Sequence, residues 1–145
     1  MTVNLETASR TQAKGYVLLV DDDPDFLEIH EKALKAAGYE VRKAYDGTEA
    51  LNILQEKTPD VMVLDVIMST LTEGLDLAYK LKNDPAFSKI PIVLATAMAK
   101  HERFPQAFEF IMERDWPAVA YYDKPVNPME LVKVIDRVVA AVKAA

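Results

Sequence analysis

Short apolar runs in this chain end on residues that could do chemistry. Val61-Met62-Val63-Leu64 stops at Asp65, and Tyr16-Val17-Leu18-Leu19-Val20 stops at Asp21-Asp22-Asp23. Ile92-Val93-Leu94-Ala95 stops at Thr96, and Val119-Ala120-Tyr121-Tyr122 leads into Asp123-Lys124-Pro125. Runs of this length read as buried strands. In an open parallel α/β sheet the C-terminal strand ends converge on one edge, where ligands bind. Carboxylates crowded there repel one another and invite a cation. Asp21, Asp22 and Asp65 offer only oxygen, which suits Mg²⁺ rather than zinc or copper. A carboxylate beside Mg²⁺ can attack phosphorus and become an aspartyl phosphate. The metal neutralises charge on the phosphoryl oxygens during such a transfer. Lys124 supplies a positive charge for the product, and Thr96 a hydroxyl donor. No base that would activate water is apparent.

The elements that must position these groups are legible as an alternation of strands and helices. Asp23-Pro24 opens a helix, Asp as N-cap and Pro at its first position. Its apolar face reads as Phe26, Ile29, Ala33 and Ala37, and Gly38 ends it. Tyr39 to Ala44 reads as a short strand. Asp46 and Glu49 form a capping box before Ala50, Leu51 and Leu54. Pro59 breaks the chain ahead of the strand that ends at Asp65. Leu75 to Lys82 reads as a helix, and Pro91 precedes the next strand. The last helix is capped at Asn127-Pro128, with Glu130 completing a box. Leu131, Val134, Ile135, Val138 and Val142 form its stripe. Five strands and five helices in strict alternation predict an α/β fold, a parallel sheet covered on both faces.

Composition narrows the function. The chain has 145 residues, half of them hydrophobic, enough for one domain with a core. Residues 1–14 are polar and aperiodic and read as a flexible tail or tag remnant, leaving 15–145 as the domain. The formal net charge of −6 disfavours nucleic-acid binding. There are no cysteines, hence no disulfide framework and no thiolate metal site. No apolar run reaches membrane-spanning length and no secretory signal opens the chain. A cytoplasmic location without membrane contact is the expectation.

Val20-Asp21-Asp22-Asp23-Pro24, Leu64-Asp65, Ala95-Thr96-Ala97 and Asp123-Lys124-Pro125, in this order, resemble the response-regulator receiver domain of two-component signalling, over about residues 15–143. The resemblance implies a flavodoxin-like three-layer sandwich with sheet order 2-1-3-4-5. It implies Asp65 as phospho-acceptor and Asp21 and Asp22 as the acid pair, Asp22 being a direct Mg²⁺ ligand. The backbone carbonyl of Ile67 would complete the metal site. Thr96 would be the switch hydroxyl, Lys124 the phosphate-contacting lysine, and Tyr121 the aromatic that reports the switch. A cis peptide is common at the Lys124-Pro125 position. A histidine kinase or phosphotransfer protein would be the donor and an unknown downstream protein the reader. The domain would work alone, as a monomer or a phosphorylation-dependent dimer, and not as an enzyme in its own right.

Two departures stand out. Receivers usually carry Met-Pro after the acceptor, but here Met68 is followed by Ser69, and Gly74 arrives one residue late. The loop 66–74 is thus longer and lacks the residue that fixes φ. Between Thr96 and Lys124 the chain is also longer than usual. The stripe Phe104, Ala107, Phe108, Ile111, Met112 predicts a helix from about Phe104 to Arg114 after an extended loop Ala97–Arg103. His101 reads as a solvated loop residue, and Phe110 and Trp116 as packing. His30 reads as a surface residue rather than a phospho-donor. The alternative function is a pseudo-receiver that works without phosphorylation. An aspartyl-nucleophile phosphatase of the haloacid-dehalogenase type is set aside, because its second Asp would fall at Ile67.

Overall fold

The structure is a computed structural model that describes residues 13–70, 73–97 and 118–144. Along the chain come β1 (Tyr16–Val20), α1 (Pro24–Ala36), β2 (Glu40–Ala44), α2 (Gly47–Glu56) and β3 (Val61–Leu64). They are followed by α3 (Glu73–Lys82), β4 (Ile92–Thr96), β5 (Ala120–Asp123) and α4 (Pro128–Ala144). The five strands form one parallel sheet in the order β2-β1-β3-β4-β5, the order that the receiver resemblance implies. Four helices lie among the described residues. The fifth, expected at Phe104–Arg114, falls outside them, as do loop residues 98–103 with His101, Phe110, Trp116 and tail residues 1–12. Lys14, counted with that tail, is tied in: its amide donates to the Gly38 carbonyl at 2.9 Å.

The strand side chains alternate between two cores, as period-2 geometry requires. Leu18, Val20, Met62, Leu64, Ile92 and Leu94 point to one face, against Ala50, Ile53 and Leu54 of α2 and Leu77, Ala78 and Leu81 of α3. Val17, Leu19, Val61, Val63, Val93 and Ala95 point to the other, against Phe26, Leu27 and Leu34 of α1 and Leu131 and Ile135 of α4. β1, β3 and β4 are buried along their whole length, the mark of a sheet covered on both faces. Fully burying each Leu or Val contributes roughly 1.5–3 kcal/mol. β5 lies at one edge of the sheet, as β2 does at the other, and alternates half-buried with exposed, so its run is not a buried strand of the kind the sequence suggests.

Local signals set the helix ends. The Asp23 side chain accepts from the Asp25 amide at 3.0 Å and caps α1, with Pro24 at its first position. Gly38 takes φ +102°, which strains any side chain, and lets the Tyr39 amide turn back to the Leu34 carbonyl. Asp46 caps α2 by accepting from the Glu49 amide at 2.8 Å. The α1 stripe is rotated from its expected place. Phe26, Leu27, His30 and Leu34 are buried, whereas Ile29 is 53 % exposed. Both rows fit helical spacing, and contact with β1, β2 and α4 selects the one that carries leucines. In α4, Val132 and Val139 are buried and Val142 is exposed, a shift of the same kind.

Candidate functional site

The strand order reverses between β1 and β3, which opens a crevice at their C-terminal ends. Asp21 is the first residue past β1, and its amide donates to the Ala44 carbonyl at 3.0 Å. Asp65 is the first past β3, and its amide donates to the Val20 carbonyl at 2.9 Å. The sheet ladder thus runs one residue beyond the strands and sets these two acids side by side. Asp21 is 1 % exposed and Asp65 is also buried, while Asp22 faces solvent. One carboxylate oxygen from each of the three lies within 4.8 Å of the others.

Lys124 reaches the same point from β5. Its backbone amide is held by the Thr96 carbonyl at 3.0 Å. Its Nζ lies 2.7 Å from Asp21 Oδ2 and 3.3 Å from Asp65 Oδ2. The contact to Asp65 is a hydrogen bond, whereas that to Asp21 is an ion pair whose angles fall short of one. The ammonium also sits 4.5 Å from the centre of the Phe26 ring, within reach of a cation–π attraction. Phe26 read from the sequence as core alone; its place in the first turn after the acid cluster was the available signal. The Lys124-Pro125 peptide is cis.

Burial drives the electrostatics. Desolvation, then repulsion from Asp65, pushes the Asp21 carboxyl up to about 7 against the pull of Lys124. Desolvation also raises Asp65, opposed by Lys124, Thr96 and the Ile67 amide. That amide donates to Asp65 Oδ1 at 3.1 Å. For Lys124 burial alone would lower the ammonium, but Asp65 and Asp21 outweigh it and the net shift is upward. Two buried acids facing one lysine leave negative charge in excess, and a divalent cation would relieve it. The donor set, carboxylate oxygen with one solvent-facing member, fits Mg²⁺.

Thr96 ends β4 at the same edge, and its buried Oγ1 lacks a hydrogen-bond partner of good geometry among the described residues. Its nearness still favours the charged form of Asp65. A buried hydroxyl in that state costs about 1–3 kcal/mol, and it can donate to an incoming oxygen. Tyr121 does not join the cluster. It lies on β5 opposite Leu94 and is 47 % exposed.

His30 corrects the sequence reading. It is 3 % exposed, not on the surface, with its ring 4.2 Å from that of Phe26. Burial, then the charge of Lys124, lowers its pKa and favours the neutral ring. An amphipathic pattern with polar residues on both sides of the stripe hid this position.

The family model for the response regulator receiver domain matches residues 17–136. The chain belongs to that family. It is 34 % identical over 131 residues to a probable transcriptional regulator, ycf27, of Guillardia theta, covering 90 % of this chain and 45 % of the relative. Among solved structures it resembles a putative response regulator from Chloroflexus aurantiacus at 32 % identity and TM-score 0.70, covering 87 % of this chain and 98 % of that one. It also resembles the chemotaxis response regulator CheY4 of Vibrio cholerae at 29 % identity and TM-score 0.66, covering 85 % and 97 %. The chain spans about half the length of the transcriptional regulators it matches. No helix among the described residues is long and apolar enough to cross a membrane.

Proposed function

We propose that this receiver domain is a Mg²⁺-dependent phospho-acceptor, charged on Asp65 by a histidine kinase or phosphotransfer protein and read by a further protein. The observation that carries the reading is Asp65 itself: a buried carboxylate at the switch point, between an acid pair and Lys124. Asp21, Asp22, Asp65 and the Ile67 carbonyl would hold the ion. When bound it would supply positive charge to the phosphoryl oxygens.

The chain's own groups do the rest. The Ile67 amide and Lys124 hold the Asp65 carboxylate in place. An Asp65 oxygen forms its bond to phosphorus as the bond from phosphorus to the donor histidine nitrogen breaks, and the freed imidazole takes a proton. Lys124 then faces a group bearing roughly −1.5 to −2 charge. Thr96, whose hydroxyl has no firm partner, would turn to the new oxygens. Tyr121, exposed before the event, would follow inward as the reporter of the switch. The domain accepts a group from a partner rather than turning over a substrate of its own, and a kinase donor implies a cytoplasmic setting.

Intact-mass measurement after incubation with Mg²⁺ and a small acyl phosphate tests the reading. The wild type gains one phosphoryl group and Asp65→Asn gains none. By calorimetry Asp22→Asn binds Mg²⁺ at least about tenfold more weakly, the effect of losing one charged ligand. A wild-type mass that stays unchanged under every donor would leave the pseudo-receiver as the correct reading.

A further inference from the structure

The loop that follows Asp65 has no proline between residues 66 and 74, yet its ends are held. Val66, Ile67 and Met68 are buried. The start of α3 presses on the backbone of the acceptor itself: a Cβ on Gly74 would lie 2.4 Å from the Asp65 carbonyl oxygen and 2.4 Å from Val66 Cα. The Gly74 amide donates to the Val66 carbonyl at 2.9 Å. Ser69, where the buried stretch emerges, donates its hydroxyl to Glu73 Oε1. The other oxygen of the same carboxylate, Oε2, accepts from the Gly47 amide at 3.2 Å.

Gly47 is the first residue of α2, and its amide is one of those a helix leaves without an internal partner. The capping side chain Asp46 serves Glu49 instead. Glu73 therefore fills a vacancy at the start of one helix while standing in the first turn of another, where a negative charge is favoured twice over. One carboxylate joins three segments: the loop after the acceptor, the start of α3, and the start of α2.

We infer that Glu73 is a positioning residue, a latch that holds the Asp65 loop in its receiving shape in place of the missing proline. The inference rests on the phospho-acceptor reading, since what the latch would position is the Ile67 backbone beside Asp65. An untied loop lets that backbone sample other arrangements, so metal binding carries an ordering cost that the latched loop does not have.

Two measurements test it, both on the whole chain. The first is Mg²⁺ affinity by calorimetry. Glu73→Ala should weaken it by about tenfold, the low end of the loss for residues that orient metal ligands. Ser69→Ala should weaken it less. Ser69→Ala should add nothing on top of Glu73→Ala, because both cut the same link. Glu73→Gln keeps one acceptor oxygen and should fall between wild type and Glu73→Ala. The second is hydrogen exchange in metal-free protein. Glu73→Ala should speed exchange at Gly47, Ile67 and Gly74 and leave β1 and β3 unchanged. Loss of protection in β1 would mean that this variant unfolds, and Ser69→Ala and Glu73→Gln then decide. If both bind Mg²⁺ like the wild type and exchange at wild-type rates at Gly47 and Ile67, the latch is overturned. A wild type that binds no Mg²⁺ would instead remove the phospho-acceptor reading, and the exchange comparison would still report on the latch.

Discussion

The two edges of the sheet handle charge in opposite ways. Towards the N-terminal edge each acid has its own partner, and the ion pairs are open to solvent. Asp60 Oδ2 accepts from the Tyr16 amide at 2.8 Å, and Tyr39 donates its hydroxyl to Asp136. Lys57 pairs with Glu40 at 2.8 Å and Arg42 with Glu56 at 2.5 Å, all four well exposed. Pairs of that kind contribute little and cost little. At the C-terminal edge two acids are buried beside each other, one lysine serves both, and a threonine hydroxyl lacks a firm partner. The same sheet geometry supports both edges. A buried hydroxyl without a hydrogen-bond partner among the described residues occurs at both edges, Tyr16 at the first and Thr96 at the second. Only the second sets two buried carboxylates against one lysine, and such a site is one that a cation and a phosphoryl group can complete.

Three substitutions sharpen or break this contrast. Gly74→Ala should have the largest effect, about 1–3 kcal/mol of destabilisation or more, because a side chain there must displace backbone rather than a flexible neighbour. Urea unfolding measures it. A near-neutral result would mean that the packing of α3 on the acceptor strand is looser than the 2.4 Å approach indicates.

Asp21→Asn should move stability the other way in metal-free protein, by on the order of 1 kcal/mol or more at pH 8. The sign follows from the raised Asp21 pKa. From its ordinary value of 3.8 up to about 7 the folded protein keeps a proton that the unfolded chain has released. Stability from this group is therefore full below about 3.8, falls as pH rises towards 7, and levels off beyond. Asp65 is shifted in the same direction. The variant's advantage over wild type should grow across that window and shrink when Mg²⁺ is added. Equal stability at pH 8 without metal would show that Lys124 already compensates both acids.

Tyr39→Phe at the opposite edge should have the smallest effect, about 0.5–1.5 kcal/mol for one partly buried hydrogen bond. It should not vary between pH 5 and 8, since burial and then Asp136 raise the phenol further above that range. The three midpoints can be read from one set of denaturation curves. A Tyr39→Phe loss as large as that of Gly74→Ala would erase the distinction between the edges.

Legibility also differs between edges and faces. The strand ends were readable because burial on both faces leaves apolar runs with abrupt polar stops, so Asp21, Asp65 and Thr96 stood out. Helix faces were less readable. Phe26-Ile29-Ala33-Ala37 and Phe26-His30-Leu34 share helical spacing, and only contact with the sheet and α4 chooses between them. That choice buried His30 and brought Phe26 against Lys124. β5 looked like the inner strands by its composition, but its position at the sheet edge leaves Tyr121 exposed.

By itself the sequence determined the alternation of elements, their caps, and which residue types stop each strand. Those are local matters of period, propensity and short-range hydrogen bonding. The tertiary structure alone decided which ends meet. It set Asp21 beside Asp65 through an amide-to-carbonyl ladder, brought Lys124 across from the edge strand, and laid Glu73 between Ser69 and Gly47. Gly47 and Glu73 are 26 residues apart along the chain, and Asp65 and Lys124 are 59 apart. Nothing in the local pattern encodes a distance across a sheet, because strand order fixes it, and strand order comes from the packing of the helices on the two faces.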